Sequence, residues 1–293
     1  MNGHASNGNR ENEKRGWPVP FRLSHFPPFP CAISPCPRLP LTSEKGISVL
    51  LELLLTAAVG MAMGQTMDLL WGRFYTGEEV LVALYRCAAC RAPIAPVYAL
   101  PFAAGILWAE GACPQCGEAL PARSVILPSA SAVLFLVAYA AFDGNVGAAL
   151  AGGFFATIFL TLAFTDLETG LLPNRIVYPG ILIAVALCWA WPSTSVLAIF
   201  AGGGVAVLIA AAILLLSRFF GPEAFGLGDV KMIVLMGFVL GVPAVIIAVF
   251  IGTIAAGLGA GILLLTRLRT RSDYIPHGPF LALGAVIALF LAA

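Results

Sequence analysis

The chain has 293 residues, 60% of them hydrophobic and only 11% charged, with a mean hydropathy of +0.94. A soluble domain carries about a quarter charged residues, so composition excludes an ordinary water-soluble globule and predicts an all-α polytopic membrane protein. The net charge of +1 says nothing by itself, and the information lies in where the charges fall; no nucleic-acid partner is expected.

Residues 1–46 differ in make-up from the rest. An Asn-rich polar tract leads into a proline-rich one that includes Pro27, Pro28 and Pro30. Such a stretch buries too little apolar surface to offset its ordering entropy and is expected to be disordered. It has no uninterrupted apolar core and so is not a signal peptide. A start codon placed too far upstream accounts for it simply.

A helix that crosses a bilayer needs about 20 apolar residues. The runs that meet or approach this are Ile47–Trp71, Ser124–Phe142, Val146–Thr165, Ile176–Trp191, Val196–Ser217, Val230–Leu240, Pro243–Thr266 and Gly278–Ala293. About eight transmembrane helices are therefore predicted, the sixth short or tilted. Residues 47–71 form the first, 72–123 an intervening loop domain, and 124–293 the embedded core. All ten Lys and Arg from Arg73 onward fall in alternate loops or at a helix mouth on one side. By the positive-inside rule that side is cytoplasmic, which puts both chain ends outside. The six basic residues before Ile47 run against this for an outer tail. Glycine-rich stretches such as Gly202–Gly204 predict close helix–helix approach and no chemistry.

The 72–123 loop carries C-A-A-C (Cys87, Cys90) and C-P-Q-C (Cys113, Cys116). Two such pairs suit a tetrahedral four-thiolate zinc site. In a reducing cytoplasm, metal binding outcompetes disulfides there. The expectation is a small zinc-binding loop domain between helices one and two.

Two acids stand at helix mouths on the same side. Asp166, in A-F-T-D-L-E-T-G-L-L-P-N, follows an apolar run, where the negative end of the helix dipole opposes a carboxylate. A misplaced charge at a membrane boundary calls for a functional explanation. Asp229, in F-G-L-G-D-V-K-M, precedes an apolar run and has an ordinary alternative as an N-cap. Gly226 and Gly228 beside it permit another backbone to come close. Two carboxyls at one depth on different helices suit acid–base activation of water, one ionised and the other protonated. Glu168 reads as an interfacial charge, Lys231 as a boundary marker and Asn174 as a cap after the break at Pro173. Pro179 is expected to kink the fourth helix, and His277 is read as positional.

F-T-D-x-x-x-x-x-L-P-N (Phe164 to Asn174) and G-x-G-D-V-K (Gly226 to Lys231) closely resemble the two signature motifs of bacterial type IV prepilin leader peptidases, aspartic proteases of the GxGD kind. P-H-G-P-F-L-A-L-G-A, Pro276 to Ala285, is similar to that family's C-terminal segment. The resemblance runs from about Val49 to the end. It implies that Asp166 and Asp229 are a catalytic pair, with Thr165, Pro173, Asn174, Gly226, Gly228 and Lys231 around them. The substrates it implies are type IV prepilins or type II secretion pseudopilins, cut at the cytoplasmic face of the inner membrane. The implied partners are the pilus or secretion machinery and the surrounding lipids.

Many members of the family also methylate the new N-terminus from S-adenosylmethionine. Here the family's G-S-F-x-N-V-x-x-x-R stretch reads Gly64 to Arg73 with only its ends kept, and its Tyr-Pro-x-x-Glu is replaced within Arg123 to Pro128. These departures bear on that second activity. Two other classes stay open from the residues alone. An ion-coupled transporter would relay ions through the two aspartates, which it would be expected to hold nearer the midplane. A non-catalytic assembly protein would dock secretion machinery through its zinc loop.

Overall fold

The computed structural model describes residues 44–76, 90, 92, 115–118, 122–187, 195–220, 226–267 and 276–293. The extension 1–43, two of the four loop cysteines and the end of the predicted fourth span therefore lie outside the described residues. Among those described are eight α-helices: α1 Glu44–Thr76, α2 Arg123–Ala141, α3 Val146–Thr169, α4 Asn174–Ala186, α5 Val196–Phe220, α6 Leu227–Leu240, α7 Ala244–Leu265 and α8 Gly278–Leu291. Five of them, α1, α2, α3, α5 and α7, are long and apolar enough to cross a membrane, and α4 and α8 are shorter apolar helices. The described residues form helices and no strands, and five spans of this kind are consistent with a multi-pass membrane protein.

Several boundaries differ from the sequence expectation, and in three helices the difference has a local reason. Helix α1 starts at Glu44 and runs on to Thr76, its flanks carrying the good helix formers Glu44, Lys45 and Arg73. Helix α3 continues past Thr165 to Thr169, where Gly170 takes a left-handed conformation (φ 66°) and its N–H closes on the Asp166 carbonyl at 2.8 Å. That is a glycine stop of the usual kind, and it puts Asp166 within the last turn. Helix α6 starts three residues early, at Leu227, with Gly226 as its N-cap. Asp229 is thus a first-turn residue rather than the cap.

Helices α2 and α3 have the same hydropathy of 1.9 over their most apolar windows, yet 33% of that window is buried in α2 and 67% in α3. Size of side chain makes the difference. Gly152 and Gly153 of α3 receive the rings of Phe142, just past α2, and Phe135 of α2, and Phe155, Phe159 and Leu162 of α3 are buried in the core. Helix α3 therefore runs through the protein interior, packed by α1, α2, α4 and α8. Helix α6 is a second interior helix, packed by α4, α5, α7 and α8, with Met232, Leu235 and Met236 fully buried. Helices α4 and α8 each pack on both α3 and α6. Gly180 of α4, for example, lies between Leu235 of α6 and Ile158 of α3.

Glycine explains some helix contacts and not others. A Cβ on Gly202 would run into Gly237 and Gly241 of the α6 segment, whereas one on Gly204 would meet nothing. Polar ties hold α1 to α2 near both ends. The Tyr139 hydroxyl donates to Glu52 at 2.5 Å, and Arg123 and Ser124 both donate to Asp68 at 2.9 and 2.7 Å.

Candidate active site

Asp166 and Asp229 line one cavity of about 610 Å³, together with Trp71, the 169–175 connection, Gly226–Gly228 and Lys231. Both acids are buried, 4% and 9% exposed, and lie near enough for the charge of Asp166 to act on Asp229. The cavity sits between the α3–α4 connection and the first turn of α6. Helices α4 and α8, which pack on both acid-bearing helices, hold it together.

Each acid has its own support. Asp229 stands in the first turn of α6, where the positive end of the dipole suits a carboxylate. Gly226, the N-cap of α6, stands beside its carboxyl. Asp166 stands at the negative end of α3 and is supported from elsewhere. The Gly278 backbone N–H, opening α8, donates to Asp166 Oδ2 at 2.9 Å in a buried contact.

The residues expected around the pair divide. Pro173, Asn174, Gly226, Gly228 and Lys231 all line the cavity. Thr165 does not, because its buried hydroxyl donates back to the Leu162 carbonyl at 2.9 Å. Asn174 is not the cap of α4; Pro173 holds that position. The Asn174 side chain instead accepts a hydrogen bond from Lys231 Nζ at 2.8 Å, so the two motifs are joined directly. Gly228 stands in a tight spot, since a Cβ there would come within 3.2 Å of the Leu172 side chain. It is a side chain that comes close, not the backbone expected from sequence. Gly226 is not crowded: a Cβ would lie 3.5 Å from Asp229 Oδ2 in ordinary contact. Pro179 lies inside α4.

Glu168 is more than an interfacial charge. Arg123 Nη1 donates to it at 2.7 Å and Trp71 Nε1 at 3.1 Å, while Arg123 Nε pairs with the buried Asp68. The Asp68–Arg123–Glu168 chain ties α1 and α2 to α3 two residues beyond Asp166. His277 precedes α8 without capping it through its side chain, and burial pushes its imidazole below the ordinary value. Of the four loop cysteines, Cys90 and Cys116 are exposed, and Cys87 and Cys113 lie outside the described residues. Among the described residues no group of three or more His, Cys, Asp or Glu could hold a metal ion.

A helical membrane protein with two buried carboxyls on one cavity, carried by the motifs above, belongs to a definite class. The type IV leader peptidase family model matches residues 153–261, and the bacterial peptidase A24 N-terminal domain matches 58–142. A prepilin leader peptidase/N-methyltransferase of Aeromonas salmonicida (strain A449) is 30% identical over 69% of this chain and 69% of its own length. Proteins of the same description from Burkholderia pseudomallei (strain 1026b) and Bacillus subtilis (strain 168) are 33% and 29% identical. These cover 62% and 69% of this chain, and 59% and 79% of their own lengths. No solved structure matches the chain. The chain belongs to the type IV leader peptidase family, and the transporter and assembly-protein readings are not favoured.

Proposed function

We propose that this protein is an intramembrane aspartic endopeptidase that removes the basic leader from type IV prepilins or type II secretion pseudopilins. Asp166 and Asp229 are its catalytic pair. The observation that carries this reading is their convergence, from two motifs 63 positions apart, on one cavity between α3 and α6.

The chemistry follows from a pair that holds one proton. The ionised carboxyl takes a proton from water as the water oxygen bonds to the scissile carbonyl carbon. The protonated carboxyl gives its proton to the carbonyl oxygen. When the tetrahedral intermediate collapses, the C–N bond breaks and the first carboxyl protonates the departing amine. The second recovers a proton from the new carboxyl group, and the pair returns to its starting state. Trp71, Leu172 and Leu227 give the cavity apolar walls, which suit a substrate whose hydrophobic stem stays in the membrane. Arg123, Arg175 and Lys231 lie at the same helix ends as the two acids. By the positive-inside rule that supports cleavage at the cytoplasmic face of the inner membrane.

Cys87, Cys90, Cys113 and Cys116 are proposed to hold a structural zinc ion, on the strength of their spacing. The four thiolates would close the ion's coordination and leave it no part in peptide hydrolysis. The relatives are described as leader peptidase/N-methyltransferases. Transfer of the methyl group of S-adenosylmethionine to the new N-terminal amine is the corresponding second activity here.

The test is to incubate the detergent-solubilised chain with a purified type IV prepilin and follow the loss of the leader. Wild-type protein is expected to cleave, and Asp166→Asn and Asp229→Asn to be inactive. Retained cleavage by both variants overturns the aspartic mechanism. Elemental analysis finding one zinc per chain supports the metal proposal, and methyl transfer from labelled cofactor to the cleaved pilin supports the second activity.

A further inference from the structure

We propose that Gly278 is a positioning residue for the reaction: its backbone N–H, at the head of α8, holds the Asp166 carboxyl in its working orientation. The proposal rests on the reading of Asp166 as a catalytic acid and adds α8 as the third side of the site.

The argument begins with the unpaired amides that every helix start leaves. At α8 they can be followed one by one. Pro279 has no N–H. The amides of Phe280 and Leu281 both turn back to the His277 carbonyl, at 3.2 Å each. The His277 side chain caps nothing in α8. The Gly278 amide remains, and it goes to Asp166 Oδ2 across 112 positions of sequence. A buried amide needs a partner, and here that partner is a catalytic acid on another helix.

The same contact serves Asp166. In the last turn of α3 its carboxyl faces the negative end of its own helix dipole. The N-terminus of α8 brings the opposite end of a second dipole, with a charge-assisted hydrogen bond, onto the same oxygen. With Oδ2 held, Oδ1 is the oxygen left to take a proton from water. The approach is close enough to need glycine. A Cβ at position 278 would lie 2.7 Å from Asp166 Oδ2, 2.9 Å from its Cγ and 3.0 Å from its Cβ. Any side chain there displaces the carboxyl, and a misplacement of about 1 Å near reacting groups costs on the order of 10²-fold in rate.

A purely structural alternative is that Asp166 serves only as a remote cap for α8. Asparagine accepts from a backbone amide as well as aspartate does, so the two roles separate in experiment. The full chain in detergent is assayed on a purified type IV prepilin, as wild type and as four variants. These are Gly278→Ala, a backbone ester made by placing glycolic acid at 278, Asp166→Asn, and Gly261→Ala in open space on α7. The ester removes the N–H and adds no side chain, so it answers even if Gly278→Ala does not fold. Expected for both changes at 278 is a fall in kcat of about 10²-fold, with KM within about 3-fold of wild type. Asp166→Asn is expected to unfold at the wild-type temperature and to be inactive, and Gly261→Ala to match wild type. Wild-type kcat in the ester overturns the proposal, as does a loss confined to KM. Cleavage by Asp166→Asn overturns instead the reading of Asp166 as catalytic.

Discussion

Asp166 and Asp229 reach one cavity from opposite ends of their helices. Asp229 lies in the first turn of α6, where its own helix supplies the favourable dipole and Gly226 stands beside its carboxyl. Asp166 lies in the last turn of α3, where its own helix is unfavourable and the support comes from α8. One acid is placed locally and the other by tertiary structure. Disturbing the α6 motif should therefore act within a few residues, whereas Asp166 should be sensitive to changes far away in sequence.

The largest effect tests whether two such differently supported acids act as a unit. Asp166→Asn and Asp229→Asn should each lower leader cleavage by about 10³-fold or more, and the double variant should fall no more than about 10-fold below either. Single-turnover cleavage of a prepilin measures this, and additive losses would show independent roles.

The next comparison lies within one motif. Gly228→Ala brings a methyl to about 3.2 Å from the Leu172 side chain, and either the α3–α4 connection or the first turn of α6 must shift. A loss of about 10-fold in kcat/KM is expected. Gly226→Ala meets only an ordinary contact and needs no positive φ, so it should stay within about 3-fold of wild type. Equal losses would mean that crowding is not what the second glycine relieves.

The Arg123 bridge offers a test on the Asp166 side that does not touch the cavity chemistry. Arg123→Ala leaves, among the described residues, Ser124 as the partner of the buried Asp68 and Trp71 as that of Glu168. A stability loss of about 1–3 kcal/mol is expected, read as a lower thermal midpoint in detergent. Arg123→Lys should recover only part of it, because an ammonium cannot reproduce the forked geometry.

Why the sequence shows one half of this site better than the other follows from the same asymmetry. Asp229 sits among residues that explain it, so G-L-G-D-V-K carries its own structural account. Asp166 was visible as an anomaly, an acid at the wrong end of an apolar run, but its remedy lies at Gly278. Helical periodicity cannot see a contact between an acid and a distant backbone amide. A signal existed in H-G-P, where His277 holds the cap position that more often carries Ser, Thr, Asp or Asn, followed by a glycine and then a proline without N–H. Such a start leaves one amide for another element to use. The role of Glu168 is hidden in the sequence for a similar reason. Its partners, Arg123 and Trp71, come from α2 and α1 and look like boundary residues when taken singly. The spans themselves were legible because membrane helices announce themselves by length and apolarity. Their exposure was not, since α2 and α3 are equally apolar and only α3, through Gly152 and Gly153, takes in the rings of a neighbour while packed among four other helices.

The smallest expected effect concerns His277, which precedes the amide that holds Asp166. Burial keeps its imidazole below the ordinary value, so the folded protein resists protonating it more than the unfolded chain does. The unfolded state then binds more protons as pH falls below about 6.5, and stability drops in that direction. The contribution is complete above the unfolded value and is lost as pH falls through the lower folded one. His277→Gln removes this titration. The drop in thermal midpoint between pH 7 and pH 5 should shrink by about 2 °C. Because the His277 side chain does not cap α8, cleavage at pH 7 should stay within about 3-fold of wild type. A large loss of cleavage at pH 7 would instead place the imidazole, and not the backbone amide alone, among the groups that hold Asp166.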